Sequence, residues 1–154
     1  MNGELEIFVD GACRGNPGLA AIGVVIHQDG KCIKTVAKSI GEATNNIAEY
    51  TALIYALQEA LVLKADKVKI FTDSELVFNQ LIGSYQIKNE KLKTLFDQVK
   101  HLVRGFKKIE IKNIPREKNK EADKLASDVL KKKQAKVVAP LFEYSGEESP
   151  SSKG

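Results

Sequence analysis

The spacing of apolar residues changes once along this chain, and that change limits the folds available to it. Three strand-like segments, at residues 4–10, 20–27 and 31–40, come first and are separated by short polar or glycine-rich stretches. Beyond Gly41, apolar residues recur every three or four positions, which predicts amphipathic helices, and two short strands interrupt them. A strand meander followed by strand–helix alternation predicts an α/β fold with helices packed on a mixed sheet.

The individual elements follow from the same pattern. The first three strands should pair antiparallel because short turns join them. Gly11, Gly15, Pro17 and Gly18 predict a loop after the first strand. The remaining strands are predicted at residues 68–72 and 109–114. The helices are predicted from a cap at Thr44 or Asn45 through residue 61, after residue 74 up to about 82, at 92–103 and at 121–133.

The length and composition are those of one globular domain, with 154 residues, 43% hydrophobic and 29% charged. We expect residues 1–134 to form the domain, residues 135–144 to form a short C-terminal extension that can pack on it, and residues 145–154, which lack apolar side chains, to be a disordered tail. No apolar run reaches the roughly 18 residues of a membrane span, and no secretory signal is visible, so a cytoplasmic protein without membrane attachment is expected. Cys13 and Cys32 show no metal or disulfide spacing and should be free thiols.

Basic residues are concentrated in one part of the chain. Residues 88–120 contain 11 basic and 4 acidic side chains, whereas residues 1–87 contain 7 basic and 10 acidic ones. Such a segment is typical of a surface that binds phosphate groups. A solvated helix face is the alternative interpretation on charge alone.

Four acidic residues lie where a soluble fold would not ordinarily place them, and two of them follow strands whose carboxyl ends open into the ligand crevice. Asp10 and Asp73 end the first and fourth strands, Glu49 lies early in the long helix, and Asp123 lies in the first turn of the last helix. Carboxylates that converge repel one another, so their clustering calls for a cation, and all-oxygen ligands favour Mg²⁺ or Mn²⁺ over zinc. Two such ions about 3.5–4 Å apart are an apparatus for in-line phosphodiester displacement. Taken singly, each acid could instead cap a turn or a helix.

Four motifs identify a family that combines these features. They read Ile-Phe-Val-Asp-Gly-Ala at residues 7–12 with Asn-Pro-Gly at 16–18, Thr-Asn-Asn-x-Ala-Glu-Tyr at 44–50, Thr-Asp-Ser at 72–74, and Asn-x-x-Ala-Asp-x-Leu-Ala at 119–126. In this order, and within residues 4–130, the motifs resemble type 1 ribonuclease H. The resemblance implies a five-stranded mixed sheet of order 3-2-1-4-5 with helices on both faces. It also implies endonucleolytic hydrolysis of the RNA strand of RNA/DNA hybrids, leaving 3′-hydroxyl and 5′-phosphate ends.

The same resemblance assigns roles to individual residues. Asp10 would bridge two Mg²⁺ ions, with Mn²⁺ as a substitute, Glu49 and Asp73 would complete the ion on the leaving-group side, and Asp123 would help hold the ion that activates water. The backbone of residues 13–15 with Asn45 and Asn46 would contact RNA 2′-hydroxyls, and Arg14, Asn16 and Thr44 would hold phosphates of the DNA strand. The full set of implied substrate contacts is Gly11, Cys13, Arg14, Gly15, Asn16, Thr44, Asn45, Asn46, Lys88 and Asn89.

The sequence departs from the common family pattern in three places. The loop at residues 114–119 has no histidine, and Arg116 is the nearest substitute; it would act through its charge because arginine does not exchange protons near neutral pH. Glu75 stands where an amide is often found. The chain has no tryptophan, and the basic protrusion of larger members is missing between residues 83 and 88. The resemblance is therefore to the compact, histidine-lacking variety, for which we expect a monomer without an obligatory protein partner.

Two other functions remain open on the sequence. A module that binds hybrids without cutting them would require loss of a metal ligand, whereas all four carboxylates are present. A related nuclease that cuts DNA, such as a resolvase or an integrase-like enzyme, is disfavoured by the Thr-Asn-Asn segment, because the 2′-hydroxyl is the group that distinguishes RNA from DNA.

Overall fold

The computed structural model describes residues 3–138, with side chains described as far as residue 132. This part of the chain forms one sheet with helices and a single short 3-10 turn. The strands are β1 (Glu4–Gly15), β2 (Gly18–Gln28), β3 (Lys31–Ala43), β4 (Lys67–Thr72) and β5 (Lys108–Asn113). The helices are α1 (Asn45–Val62), α2 (Glu75–Leu81), α3 (Glu90–Val103) and α4 (Lys120–Val138), and the 3-10 turn is Arg116–Lys118.

The strand order is β3-β2-β1-β4-β5, as the family resemblance implied. β1, β2 and β3 pair antiparallel, while β1 pairs parallel with β4 and β4 pairs parallel with β5. The last pair between β1 and β4 is Val9 with Thr72. Asp10, within β1, and Asp73, directly after β4, therefore lie side by side where the parallel pairing of the two strands ends, which corrects the prediction that Asp10 ends its strand.

The predicted loop at residues 11–18 is wrong. β1 continues to Gly15 and β2 begins at Gly18, so that only Asn16 and Pro17 lie between paired strands. Two of the glycines allow backbone segments to lie close together. A Cβ at Gly11 would collide with the backbone of Ala48 in α1, and a Cβ at Gly18 would collide with the backbone of β1. Beyond Val9, β1 pairs with β2 alone and forms a two-stranded extension of the sheet.

Helices cover both faces of the sheet, as expected. α1 and α3 pack on one face over a core that includes Leu5, Ile7 and Ile70. α4 packs on the other face, where Ala126 and Leu130 contact Ala21 of β2. No helix in the described residues is long and apolar enough to cross a membrane.

Gly23 of β2 brings α4 close to the sheet. A Cβ there would collide with the Ala122 carbonyl, so the helix backbone lies directly on the strand. Asp123, the next residue of the helix, is thereby held beside Asp10, which pairs with Gly23 in the sheet. α4 continues to Val138, beyond the predicted end at residue 133, and residues 139–154, which include the predicted tail and most of the predicted extension, lie outside the described residues.

Candidate active site

The four carboxylates predicted from the sequence line one cleft of about 560 Å³. Carboxylate oxygens of Asp10, Glu49 and Asp73 lie within 4.8 Å of one another. β1 supplies Asp10, the residue directly after β4 is Asp73, and α1 supplies Glu49. Asp123 arrives from α4 and approaches Asp10 closely enough to share a hydrogen bond with it. Four elements that are distant in sequence thus direct acidic groups to one point.

Burial and mutual repulsion make the ionised cluster costly without a cation. Asp10 is only 5% exposed. Its burial, followed by the charges of Glu49 and Asp73, raises the pKa of Asp10 to about 9. Burial and the charge of Asp73 raise the pKa of Glu49 to about 8, against the opposing effects of a backbone hydrogen bond and of Arg116. The cluster therefore has the donor set and the electrostatic need of a divalent-cation site.

The backbone of β1 fixes the position of Glu49. The amide N–H of Gly11 donates a hydrogen bond of 3.1 Å to Oε1 of Glu49. This bond requires strand and helix to approach closely, which the missing side chain of Gly11 permits. A single glycine thus connects two of the predicted metal ligands, because it directly follows Asp10 and directly contacts Glu49.

Asn119 orients a second ligand, and the sequence interpretation did not assign it a role of its own. Its Nδ2 donates to the Val9 carbonyl at 2.8 Å and to Oδ2 of Asp73 at 2.9 Å, and the residue is 1% exposed. Two acceptors around one nitrogen fix the orientation of the amide, because a flipped amide would set oxygen against oxygen. Asn119, directly before α4, is therefore bonded both to the middle of β1 and to the residue that follows β4. Its place in the fourth motif was the only signal in the sequence.

Arg116 reaches the cleft from the 3-10 turn after β5. Its positive charge lowers the pKa of Glu49, which places the guanidinium within electrostatic range of the carboxylates. The two histidines of the chain lie elsewhere. His27 packs against Phe8 with ring centroids 5.6 Å apart, and His101 lies exposed on α3. Arg116 is thus the basic side chain that the loop presents to the site.

The substrate-contact residues predicted from the resemblance divide between two cavities. Gly11, Cys13, Arg14 and Asn45 line the metal cleft. A second cavity of about 530 Å³ is lined by Asn16, Thr44, Asn46 and Asn89, together with Glu90 and Lys91. Gly15 and Lys88 line neither of them.

Local hydrogen bonds explain how neighbouring residues come to line different cavities. Oδ1 of Asn16 accepts the amide N–H of Asn45 at 2.9 Å, so the β1–β2 turn is joined to the start of α1 between the two cavities. Thr44 is the N-cap of α1 and accepts from the Ile47 amide at 3.2 Å, which decides between the two predicted caps. The Cys13 thiol donates to the Ala43 carbonyl at 3.1 Å, and burial raises its pKa. Arg14 is thus separated from Asn16 and Thr44, with which it had been grouped.

One wall of the metal cleft was not predicted. α4 contributes Ser127, Leu130 and Lys131 to the lining in addition to Asp123. Asp123, Ser127 and Lys131 are four residues apart and therefore share one face of the helix. The sequence spacing shows that these three residues share a helix face. Whether that face lines the cleft depends on the orientation of α4 on the sheet, which the spacing does not give.

Comparisons with known proteins agree on one family. A family model described as "Reverse transcriptase-like" matches residues 8–129. The ribonuclease HI of Halobacterium salinarum is 40% identical over 129 residues, which cover 83% of this chain and 65% of that protein. A bifunctional protein of Mycobacterium tuberculosis is 37% identical over 98% of this chain and 43% of its own length. The chain therefore spans less than two thirds of the length of these relatives.

Solved structures show the same similarity. The crystal structure of the Halobacterium salinarum ribonuclease H1 superposes with a TM-score of 0.83 at 39% identity, and covers 84% of this chain and 99% of that chain. A ribonuclease H1 isolated from compost, solved in complex with an RNA/DNA hybrid, superposes with a TM-score of 0.76 at 40% identity, and covers 80% of this chain and 94% of that chain.

Proposed function

The chain belongs to the ribonuclease H family, and on that premise we propose that it is a metal-dependent endonuclease that hydrolyses the RNA strand of RNA/DNA hybrids by a two-metal-ion mechanism. The observation that carries the proposal is the convergence of three carboxylates within 4.8 Å, with Asp123 beside them. A non-catalytic binding module would have no need of such a repulsive cluster.

The residues present fit two divalent ions of the Mg²⁺ or Mn²⁺ type, because all four donors are carboxylates. The charges of the other three acids all act on Asp10, which supports the proposal that Asp10 would hold both ions. Glu49 and Asp73 form one side of the cluster, and Asp123 forms the other. When bound, the ions supply an activated water and stabilise the departing oxyanion, which would leave 3′-hydroxyl and 5′-phosphate ends.

The chain's own contribution is positioning and charge. Gly11 and Asn119 hold Glu49 and Asp73 in place through the hydrogen bonds described above. Arg116 keeps its proton near neutral pH and so provides a fixed positive charge beside the cleft, not a proton shuttle. The charge can offset the negative charge that develops on the phosphate during displacement.

Recognition of the hybrid is assigned to the two cavities. Backbone and side-chain groups around Cys13 and Asn45 border the metal cleft, where RNA 2′-hydroxyls would lie. Asn16, Thr44 and Lys91 line the neighbouring cavity, which suits a phosphate of the DNA strand. The related ribonuclease H1 solved with an RNA/DNA hybrid supports this substrate class. We propose that residues 1–134 carry the activity as a monomer without a protein partner.

Cleavage of matched duplexes tests the proposal. RNA/DNA, RNA/RNA and DNA/DNA duplexes of one sequence are incubated with the protein and Mg²⁺, beside Asp10→Asn and the control Asp29→Asn, whose side chain is exposed in the β2–β3 turn. The wild type and Asp29→Asn should cut the RNA strand of the hybrid, and Asp10→Asn should lose more than nine tenths of the rate. Binding of the hybrid without cleavage would indicate the binding module, and cleavage of DNA/DNA would indicate the DNA nuclease; either result overturns the proposal.

A further inference from the structure

Two parallel tracks of residues run along the metal cleft, and each begins at a carboxylate and ends at a cation. On β1 the track is Asp10, Ala12 and Arg14, which alternate onto one face of the strand. At about 3.3 Å per residue, Arg14 lies about 13 Å beyond Asp10. On α4 the track is Asp123, Ser127 and Lys131, and at 1.5 Å per residue Lys131 lies about 12 Å beyond Asp123. All six residues line the same cleft.

Packing shows that the two tracks run side by side. Asp123 lies beside Asp10 at their start. Further along, Leu130 and Ala126 of α4 form a cluster with Ala21, against which Ala12 and Leu19 pack. Ala12 is paired with Ala21, and Arg14 is paired with Leu19. The later turns of α4 therefore lie over the end of β1, and the two cations come to the same end of the cleft over an apolar floor.

The cations at that end are available to a ligand. Among the side chains described, neither Arg14 nor Lys131 forms an ion pair, and both are exposed. Asp128 is the acid nearest to Lys131 along α4, and its carboxylate is bound by Lys124 at 2.8 Å. The acids that line the cleft are the four of the metal cluster, at the opposite end of the tracks.

We propose that Arg14, Ser127 and Lys131 form a binding site for a phosphate of the RNA strand, separate from the scissile phosphate and from the DNA-strand cavity. This inference rests on the proposed function, since the scissile RNA phosphate must lie at the carboxylates for the tracks to lead away from it along the same strand. Arg14 is therefore reassigned from the DNA strand to the RNA strand.

The three side chains suit one phosphate in complementary ways. The planar guanidinium of Arg14 presents paired donors to phosphate oxygens, and Lys131 adds a compact charge from the opposite wall. The Ser127 hydroxyl lies one turn before Lys131 and can donate a further hydrogen bond. A phosphate held there would fix the register of the RNA strand across the metal cluster, so the site would act on binding more than on the chemical step.

Substitutions with a matched control test the cation pair. Arg14→Ala, Lys131→Ala and the double variant are compared with Lys132→Ala, which removes the neighbouring exposed lysine of α4 that does not line the cleft. We expect each single variant of the pair to raise KM for the hybrid about five- to twentyfold, with kcat falling less than threefold. Lys132→Ala should change KM less than twofold. Thermal unfolding of each variant checks that the fold is intact.

A scan of neutral phosphates identifies the strand. Single methylphosphonates are placed at successive positions of the RNA strand, and then of the DNA strand, and binding is measured in Ca²⁺ with the wild type and the double variant. One RNA position near the cut should weaken wild-type binding about tenfold and leave the double variant unaffected. A DNA position with this behaviour, no such position at all, or equal effects of Lys131→Ala and Lys132→Ala would overturn the site. If the wild type fails to cut the unmodified hybrid, it is the proposed function that fails.

Discussion

Replacing Asp10 by asparagine should stabilise the metal-free protein while abolishing cleavage. An unfolded aspartate titrates near 3.8, whereas in the fold the pKa of Asp10 is about 9. Between these pH values the folded protein retains a proton that the unfolded chain releases, so the contribution of Asp10 to stability falls as the pH rises from about 4 towards 9. Asparagine has the same shape and no charge, and it removes this dependence.

The size of the effect follows from the same two pKa values. At 1.36 kcal/mol per pKa unit, the 3.8-to-7 interval corresponds to at most about 4 kcal/mol at pH 7. Part of that energy is repulsion shared with Glu49, whose pKa is raised to about 8. We therefore expect Asp10→Asn to gain about 2–4 kcal/mol at pH 7, or roughly 5–15 °C in Tm.

Thermal unfolding in EDTA from pH 5 to pH 9 measures the gain. The Tm difference between Asp10→Asn and wild type should grow with pH and should shrink when Mg²⁺ is added, because the ion stabilises the wild-type cluster. Asp29→Asn, which neutralises an exposed turn residue at positive φ that asparagine tolerates, should show neither effect. A Tm for Asp10→Asn equal to or below that of wild type at every pH, or a gain independent of pH, would refute the reasoning.

Three further predictions concern the same cleft. Arg116→Ala should lower the single-turnover rate about ten- to a hundredfold at saturating hybrid and at two salt concentrations; full rescue by low salt would show a mere phosphate contact. Asn119→Asp places a carboxylate against Asp73, so it should lower the free energy of unfolding by about 1–3 kcal/mol and weaken the Mg²⁺-induced rise in Tm. An unchanged Mg²⁺ response would contradict the role of Asn119 in orienting Asp73. Mg²⁺ affinity, measured by calorimetry, should increase from pH 6 to pH 9 as Asp10 and Glu49 lose their protons, and a flat profile would show that neither must ionise.

The four carboxylates could be predicted from the sequence because the residues next to each one show which strand or helix it belongs to. Asp10 directly follows an apolar segment of β1 and Asp73 directly follows β4, and the parallel pairing of these strands brings the two positions together. The strand order itself came with the family motifs, since periodicity predicts strands and helices but not their neighbours. Elements with strong periodicity, such as α1, were therefore predicted closely.

The wrong loop prediction and the unassigned cleft residues both depend on contacts between elements that are distant in sequence. Gly11 and Gly18 were interpreted as turn residues. In the packed structure Gly11 permits close contact between β1 and α1, and Gly18 permits close contact between β2 and β1. Lys131 is the first of three consecutive lysines at residues 131–133, and no role was predicted for it from the sequence. Which member of that run faces the cleft depends on the rotation of α4, and this is set by the contact of Ala122 with Gly23. No local pattern encodes that contact.

The position of α4 also has a consequence for how the protein is made. Three of the four carboxylates belong to the first half of the chain, whereas Asp123 and Asn119 come with the last described helix, and the bond from Asn119 to the Val9 carbonyl spans 110 positions. A growing polypeptide folds from its N-terminus as synthesis proceeds. Before α4 has left the ribosome, the nascent chain contains the three residues of the acidic triad but has neither the fourth carboxylate nor the amide that orients Asp73. If the proposed function holds, nuclease activity would therefore begin only when translation has delivered the last helix to the sheet.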